Sequence, residues 1–226
     1  MKRFRIYAIL LRMIKMTDKQ LCYDILRELF NISVGNAASM LSEIVNKKIL
    51  LNVPDLEITN VDDTESKLDK CIPKVMDGAL MVSSISFDKN LTGKANLIFP
   101  AEKMRTFINL CLNKEETDKY YETNFTDVDF DIIKEIGNII LNSVMGEVGN
   151  YLEINLNYTL PEVKIYKRID FSKDIENNDY KHVLLLYITF IIDNTEIKGA
   201  IVVDLTLNSL NELLKKIDDI EEKLYE

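Results

Sequence analysis

The chain has 226 residues, room for one large domain or two small fused ones, and its 47% hydrophobic and 29% charged content is that of an ordinary globular protein. Its 37 acidic and 28 basic side chains leave a net charge of −9, which argues against nucleic acid and anionic membrane surfaces as partners. No run approaches the roughly 18–20 apolar residues of a membrane span.

The basic, apolar start Met1–Met16 could be mistaken for a secretory leader but does not read as one. Its apolar stretch covers only Ile6–Leu11, Arg12 interrupts it, and no small-residue cleavage site follows. Residues 1–17 are expected to be an extension, either an extra helix turn or an upstream start with Met16 as the working start; the second is favoured because regular patterning begins only after Thr17-Asp18. Helical periodicity then runs over 18–47, followed by a strand-like run Lys48–Thr59 that Pro54 breaks. Asn60–Met76 reads as a polar connector. Apolar runs Ala79–Phe87 and Lys94–Phe99 flank a turn at Asp88-Lys-Asn and Gly93, and Pro100 opens a helix over 101–113.

After a polar joint, Asn113–Asp127, the same order returns. A helix spans 127–152, and a strand-like Ile154–Tyr166 contains Pro161. Asp170–Tyr180 reads as a polar connector, His182–Ile192 and Ala200–Leu205 flank an Asp193-Asn194 turn and Gly199, and a helix covers 207–223. The expected fold is α+β: one domain over 18–226 made of two helix–strand–strand–strand–helix repeats, 18–113 and 127–223. Neither repeat has enough strands alone. A pseudo-twofold pair should therefore join them in an antiparallel sheet flanked by helices.

The three cysteines, Cys22, Cys71 and Cys111, lack metal-ligand spacing and read as reduced, mostly buried thiols of a cytoplasmic protein. A single histidine, His182, excludes a His-based metal site, and its apolar surroundings favour a strand residue over a catalytic one.

The chemistry-bearing signal is a repeated triplet. Asp24, Glu28 and Asn31 recur in the second half, at one constant offset, as Asp131, Glu135 and Asn138. At ~100° per residue each triplet occupies one face of its helix, with Gly35 or Asn142 on the same stripe. Ser39 and Ser42 extend the first stripe, Gly146 and Gly149 the second. Leu26, Leu29, Phe30, Ala37, Met40 and Leu41, and on the second helix Ile133, Ile136, Ile140 and Val144, form the opposite, core-facing arcs. One copy alone reads as a solvated helix side; repetition in register suggests two copies of one site. The similar strings Ser39-Glu43-Asn46 and Ser143-Glu147-Asn150 are out of register and read as chance.

At these residues the chain resembles the CheC / CheX / FliY family of chemotaxis phosphatases. Glu28-Leu-Phe-Asn-Ile-Ser-Val-Gly looks like the family's first motif helix and Glu135-Ile-Gly-Asn-Ile-Ile-Leu-Asn like its second. The resemblance implies a cytoplasmic enzyme that hydrolyses the aspartyl phosphate of a CheY-like response regulator. Asn31 and Asn138 would enter the regulator's site, Glu28 and Glu135 would pair with its lysine, and Asp24 and Asp131 would support the motif. The Mg²⁺ would be the regulator's, leaving this chain with no cofactor of its own. Two motifs in one chain imply a CheC-like monomer, and the receptor deamidase CheD is a further implied partner. The end at Leu224-Tyr225-Glu226 leaves no expectation of the extra switch domain of FliY-like members. Phe30 departs from the family's usual glycine, which Gly137 keeps. Two other functions compete: a non-catalytic adaptor on the same fold, and a small-molecule hydrolase using Asp24 and Glu28, an acid pair that is usually mere surface.

Overall fold

The computed structural model describes residues 18–60, 78–112, 125–176, 180–192 and 194–225. The extension 1–17, Cys71, and most of the connector Asn60–Met76 and of the joint Asn113–Asp127 lie outside them. In chain order the elements are α1 (Asp18–Val45), β1 (Ile49–Asn60), β2 (Ala79–Lys89), β3 (Gly93–Pro100), α2 (Ala101–Cys111), α3 (Asp127–Tyr151), β4 (Leu156–Tyr158), β5 (Glu162–Lys167), α4 (Arg168–Glu176), β6 (His182–Ile192), β7 (Thr195–Leu205) and α5 (Leu207–Tyr225).

The architecture is α+β, one antiparallel sheet of seven strands with helices against it. The strand order is β1-β6-β7-β3-β2-β4, and β5 pairs with the other end of β2. The halves interleave rather than abut. β1 of the first half lies on β6 of the second, while β4 and β5 of the second lie on β2 of the first. Each half lends its first strand to the other's hairpin, and the β3–β7 pair joins the two at the centre. The glycines show the symmetry. A side chain at Gly93 would strike the Asp204 carbonyl, and one at Gly199 the Ile98 carbonyl, so the same interval of sequence separates the two glycines and their two partners. Only glycine permits that approach of backbones.

Alternation along the strands divides the core in two. Met81, Ile85, Phe99, Leu186, Phe190 and Val203 face the helices α1, α2, α3 and α5, where Phe190 packs edge-on against Phe107 at 4.7 Å. Leu80, Val82, Ile98, Leu185 and Val202 face the other way, under Phe171 and Ile175 of α4. Burial on both faces explains why the central strands read as continuous apolar runs.

The structure departs from several expectations. Asp170–Tyr180 is not merely a polar connector: α4 occupies its first part, because Phe171 and Ile175, one turn apart, cover the second sheet face. β7 begins at Thr195, so Gly199 lies within the strand rather than beside the turn, which falls at Asn194 as expected, with a left-handed backbone of φ 64°. Met40 is 50% exposed instead of buried. Cys22 and Cys111 are only half-buried, although burial pushes the Cys111 thiol up to about 11.

Candidate functional site on the paired helices

α1 and α3 pack together. Asn36 donates to Glu147 at 3.0 Å, and Ser143 donates to the Ser33 carbonyl at 3.0 Å. The out-of-register string Ser143-Glu147 thus has a structural role as a cross-brace. Tyr151, in the last turn of α3, lies within the electrostatic reach of Glu28 of α1: its hydroxyl is pushed up by burial and then by that carboxylate. The start of α3 is fixed by Thr126 and Asp129, which form a capping box just before Asp131. Burial raises the Asp129 pKa, but the Thr126 backbone N–H and Arg105 at 2.9 Å outweigh it and hold the carboxyl below its usual range.

Asp24, Glu28 and Asn31 lie half-buried on α1, while Asp131 and Glu135 are exposed and Asn138 half-buried on α3. The faces match the sequence reading, but the two copies differ in what their side chains are doing.

In the first copy, two of the three residues are engaged. Asp24 is paired with Arg27 at 2.8 Å. Asn31 accepts from the Val53 N–H at 2.8 Å and donates to the Val53 carbonyl at 3.2 Å and to the Arg27 carbonyl at 2.9 Å. The cause lies in β1, whose register with β6 shifts between Asn52 and Asp55 at Pro54. A bulge leaves backbone groups without ladder partners, and the Asn31 carboxamide, donor and acceptor in one group, supplies both for Val53.

In the second copy, the equivalent stretch does not close over the helix. Leu160 and Pro161 are the repeat counterparts of Val53 and Pro54, and here the strand breaks completely into β4 and β5. Leu160 is 84% exposed, whereas Val53 is 2% exposed. Among the described residues, Asn138 has one hydrogen bond: its Oδ1 accepts from Asn142 Nδ2 at 2.6 Å. Among the described residues, nothing engages the Asn138 amide hydrogens or the Glu135 carboxylate, which leaves them open to a partner.

The sequence reading missed this division. The signal was present in the spacing, since Pro54 follows Asn31 at the same interval as Pro161 follows Asn138. The glycines differ too. Gly35 and Gly146 have open space where a side chain would be, but a side chain at Gly149 would meet the Ile154 carbonyl at 2.9 Å, so Gly149 is a packing glycine and not part of an outer stripe. Gly137 lets α3 close on Ser83 of β2, while its counterpart Phe30 is buried in the core.

Residues 23–58, which include the first motif, match the model of the CheC-like family. The chain is 26% identical over 145 residues to a protein named CheY-P phosphatase CheC from Bacillus subtilis (strain 168); the match covers 63% of this chain and 65% of that protein, just under two thirds of each. In three dimensions it resembles FliY of Thermotoga maritima with a TM-score of 0.70, at 18% identity, over 91% of this chain and 99% of that one. FliM in a FliM–SpeE complex from H. pylori gives 0.63 at 10% identity over 91% and 97%. No helix among the described residues is long and apolar enough to cross a membrane. The chain therefore has a CheC-like first motif helix and the fold shared by FliY and FliM.

Proposed function

We propose that this chain hydrolyses the aspartyl phosphate of a CheY-like response regulator in chemotaxis signalling, and that α3 carries the working site. The supporting observation is the open α3 face, where Glu135 is exposed and, among the described residues, the Asn138 amide hydrogens are unengaged. The similarity to CheY-P phosphatase CheC supports the substrate class.

The chemistry suits these residue types. An acyl phosphate has a good leaving group, so its hydrolysis needs mainly a water held in line. The water oxygen bonds to phosphorus as the bond from phosphorus to the aspartyl oxygen breaks; phosphate and free aspartate result, and a proton goes to solvent. Asn138 can donate to and accept from that water while remaining non-nucleophilic. A carboxylate in its place would oppose the phosphoryl charge. Glu135 gives docking register by pairing with a lysine of the regulator, and Asp131 extends the acidic face. The metal belongs to the regulator. The chain acts as a monomer, with CheD a further partner. The first copy, with Asn31 committed to Val53, contributes Glu28 to docking and little turnover.

The test follows the decay of radiolabelled phospho-regulator with wild type, Asn138→Ala, Glu135→Ala and Asn31→Ala. Wild type should shorten the phosphate's lifetime, and Asn138→Ala should remove most of that effect. Unchanged lifetime with wild type refutes the reading. The likeness to FliM and the closed first copy favour a second reading, an adaptor, which tight regulator binding without faster decay would support.

A further inference from the structure

We infer that Asn142 is a positioning residue of the second site, fixing which way the Asn138 carboxamide faces. This rests on the phosphatase reading above. A carboxamide has two orientations of nearly identical shape, and only their hydrogen bonds distinguish them. Asn142 Nδ2 lies 2.6 Å from Asn138 Oδ1, one helical turn away. With Asn142 held as it is, flipping Asn138 alone would set two NH₂ groups against each other. The contact therefore pins Oδ1 towards Asn142 and leaves both Asn138 amide hydrogens and one Oδ1 lone pair for the water and the phosphoryl group.

Two further observations point the same way. Asn142 Oδ1 is buried and, among the described residues, has no donor. A buried unpaired acceptor is costly and uncommon, and its retention is explained if the other end of the amide is needed where it is. The first copy has Gly35 at the equivalent position of the repeat, so no side chain can pin Asn31 in this way. There Val53 holds both ends of the carboxamide. The two asparagines are fixed by different means, and only the Asn142 arrangement leaves the reactive end free.

The experiment measures kcat and KM for phospho-regulator hydrolysis by the full chain, with Asn142→Ala, Asn142→Asp, Asn138→Ala and the Asn138→Ala/Asn142→Ala double variant. Thermal unfolding confirms that each is folded. Asn142→Asp keeps the size but has no N–H to give, so it tests the donor rather than the volume. Both single variants at Asn142 should lower the Asn138-dependent kcat about tenfold, with KM within about twofold of wild type. The double variant should be no worse than Asn138→Ala, because the Asn142 effect passes through Asn138. Wild-type kcat in either Asn142 variant, a change confined to KM, or losses that multiply in the double variant would each overturn the assignment while leaving the phosphatase reading intact. If wild type itself does not shorten the phosphate's lifetime, the phosphatase reading fails and this inference falls with it.

Discussion

Replacing Asn31 by alanine should cost clearly more stability than replacing Asn138. Val53 is 2% exposed, and its N–H and carbonyl sit at the register break, bonded to Asn31 at 2.8 and 3.2 Å. Alanine strands one donor and one acceptor, each costing ~1–3 kcal/mol when left unpaired in the interior. β1 is an edge strand with exposed neighbours at Leu50 and Asn52, so water satisfies part of the loss and the lower end applies. The expected total is ~2–4 kcal/mol, a fall in Tm of about 5–12 °C for a chain of this size. Asn31→Asp keeps the acceptor for the Val53 N–H and should lose less. Asn138→Ala gives up one bond to another partly exposed amide and should cost about 1 kcal/mol or less. Circular dichroism melts and urea titrations of the four proteins provide the comparison. If Asn31→Ala and Asn138→Ala melt within about 2 °C of each other, the division into an anchored and an open copy is wrong.

Other outcomes follow from the same geometry. Asp204 is fully buried, and burial pushes its carboxyl up to about 7, despite Lys94 and a bond from Asn96 at 2.8 Å. Its folded pKa lies above its unfolded one, so its contribution is fully present below about pH 4 and is lost as pH rises through 7, a fall on the order of a few kcal/mol. Asp204→Asn should flatten that part of the pH profile and raise Tm at pH 8; an unchanged profile refutes the assignment. Gly137→Ala drives a methyl into the Ser83 side chain and should destabilise by ~1–3 kcal/mol, whereas Gly146→Ala, with open space around it, should gain ~0.5–1 kcal/mol. Equal signs in urea midpoints would contradict the packing of α3 on β2. Cys111, its thiol at about 11, should react with iodoacetamide at pH 8 far more slowly than in urea-unfolded protein.

Much of the fold and the placing of the candidate residues on their helices was legible because it depends on local periodicity. The faces of α1 and α3, the order of elements in each half and the register of the triplets all follow from residue spacing at periods of 3.6 and 2. Asp131, Glu135 and Asn138 point outward because Ile133, Ile136, Ile140 and Val144 opposite them are buried. α4 was obscured because only Phe171 and Ile175 mark its apolar face, in a segment otherwise rich in charge.

What the sequence alone determined was the presence of two like motif faces and the kind of fold that carries them. What only the tertiary structure decided was that they are not equivalent. Asn31 and Asn138 have the same chemistry and the same place in their helices, yet one meets the bulge at Val53 and the other meets Asn142 beside a broken strand. Whether a carboxamide is spent on the backbone or left open depends on a strand several helical turns further along the chain, at Val53 or Leu160, and on whether that strand closes or breaks there. That is a long-range packing outcome, and helical periodicity carries no record of it.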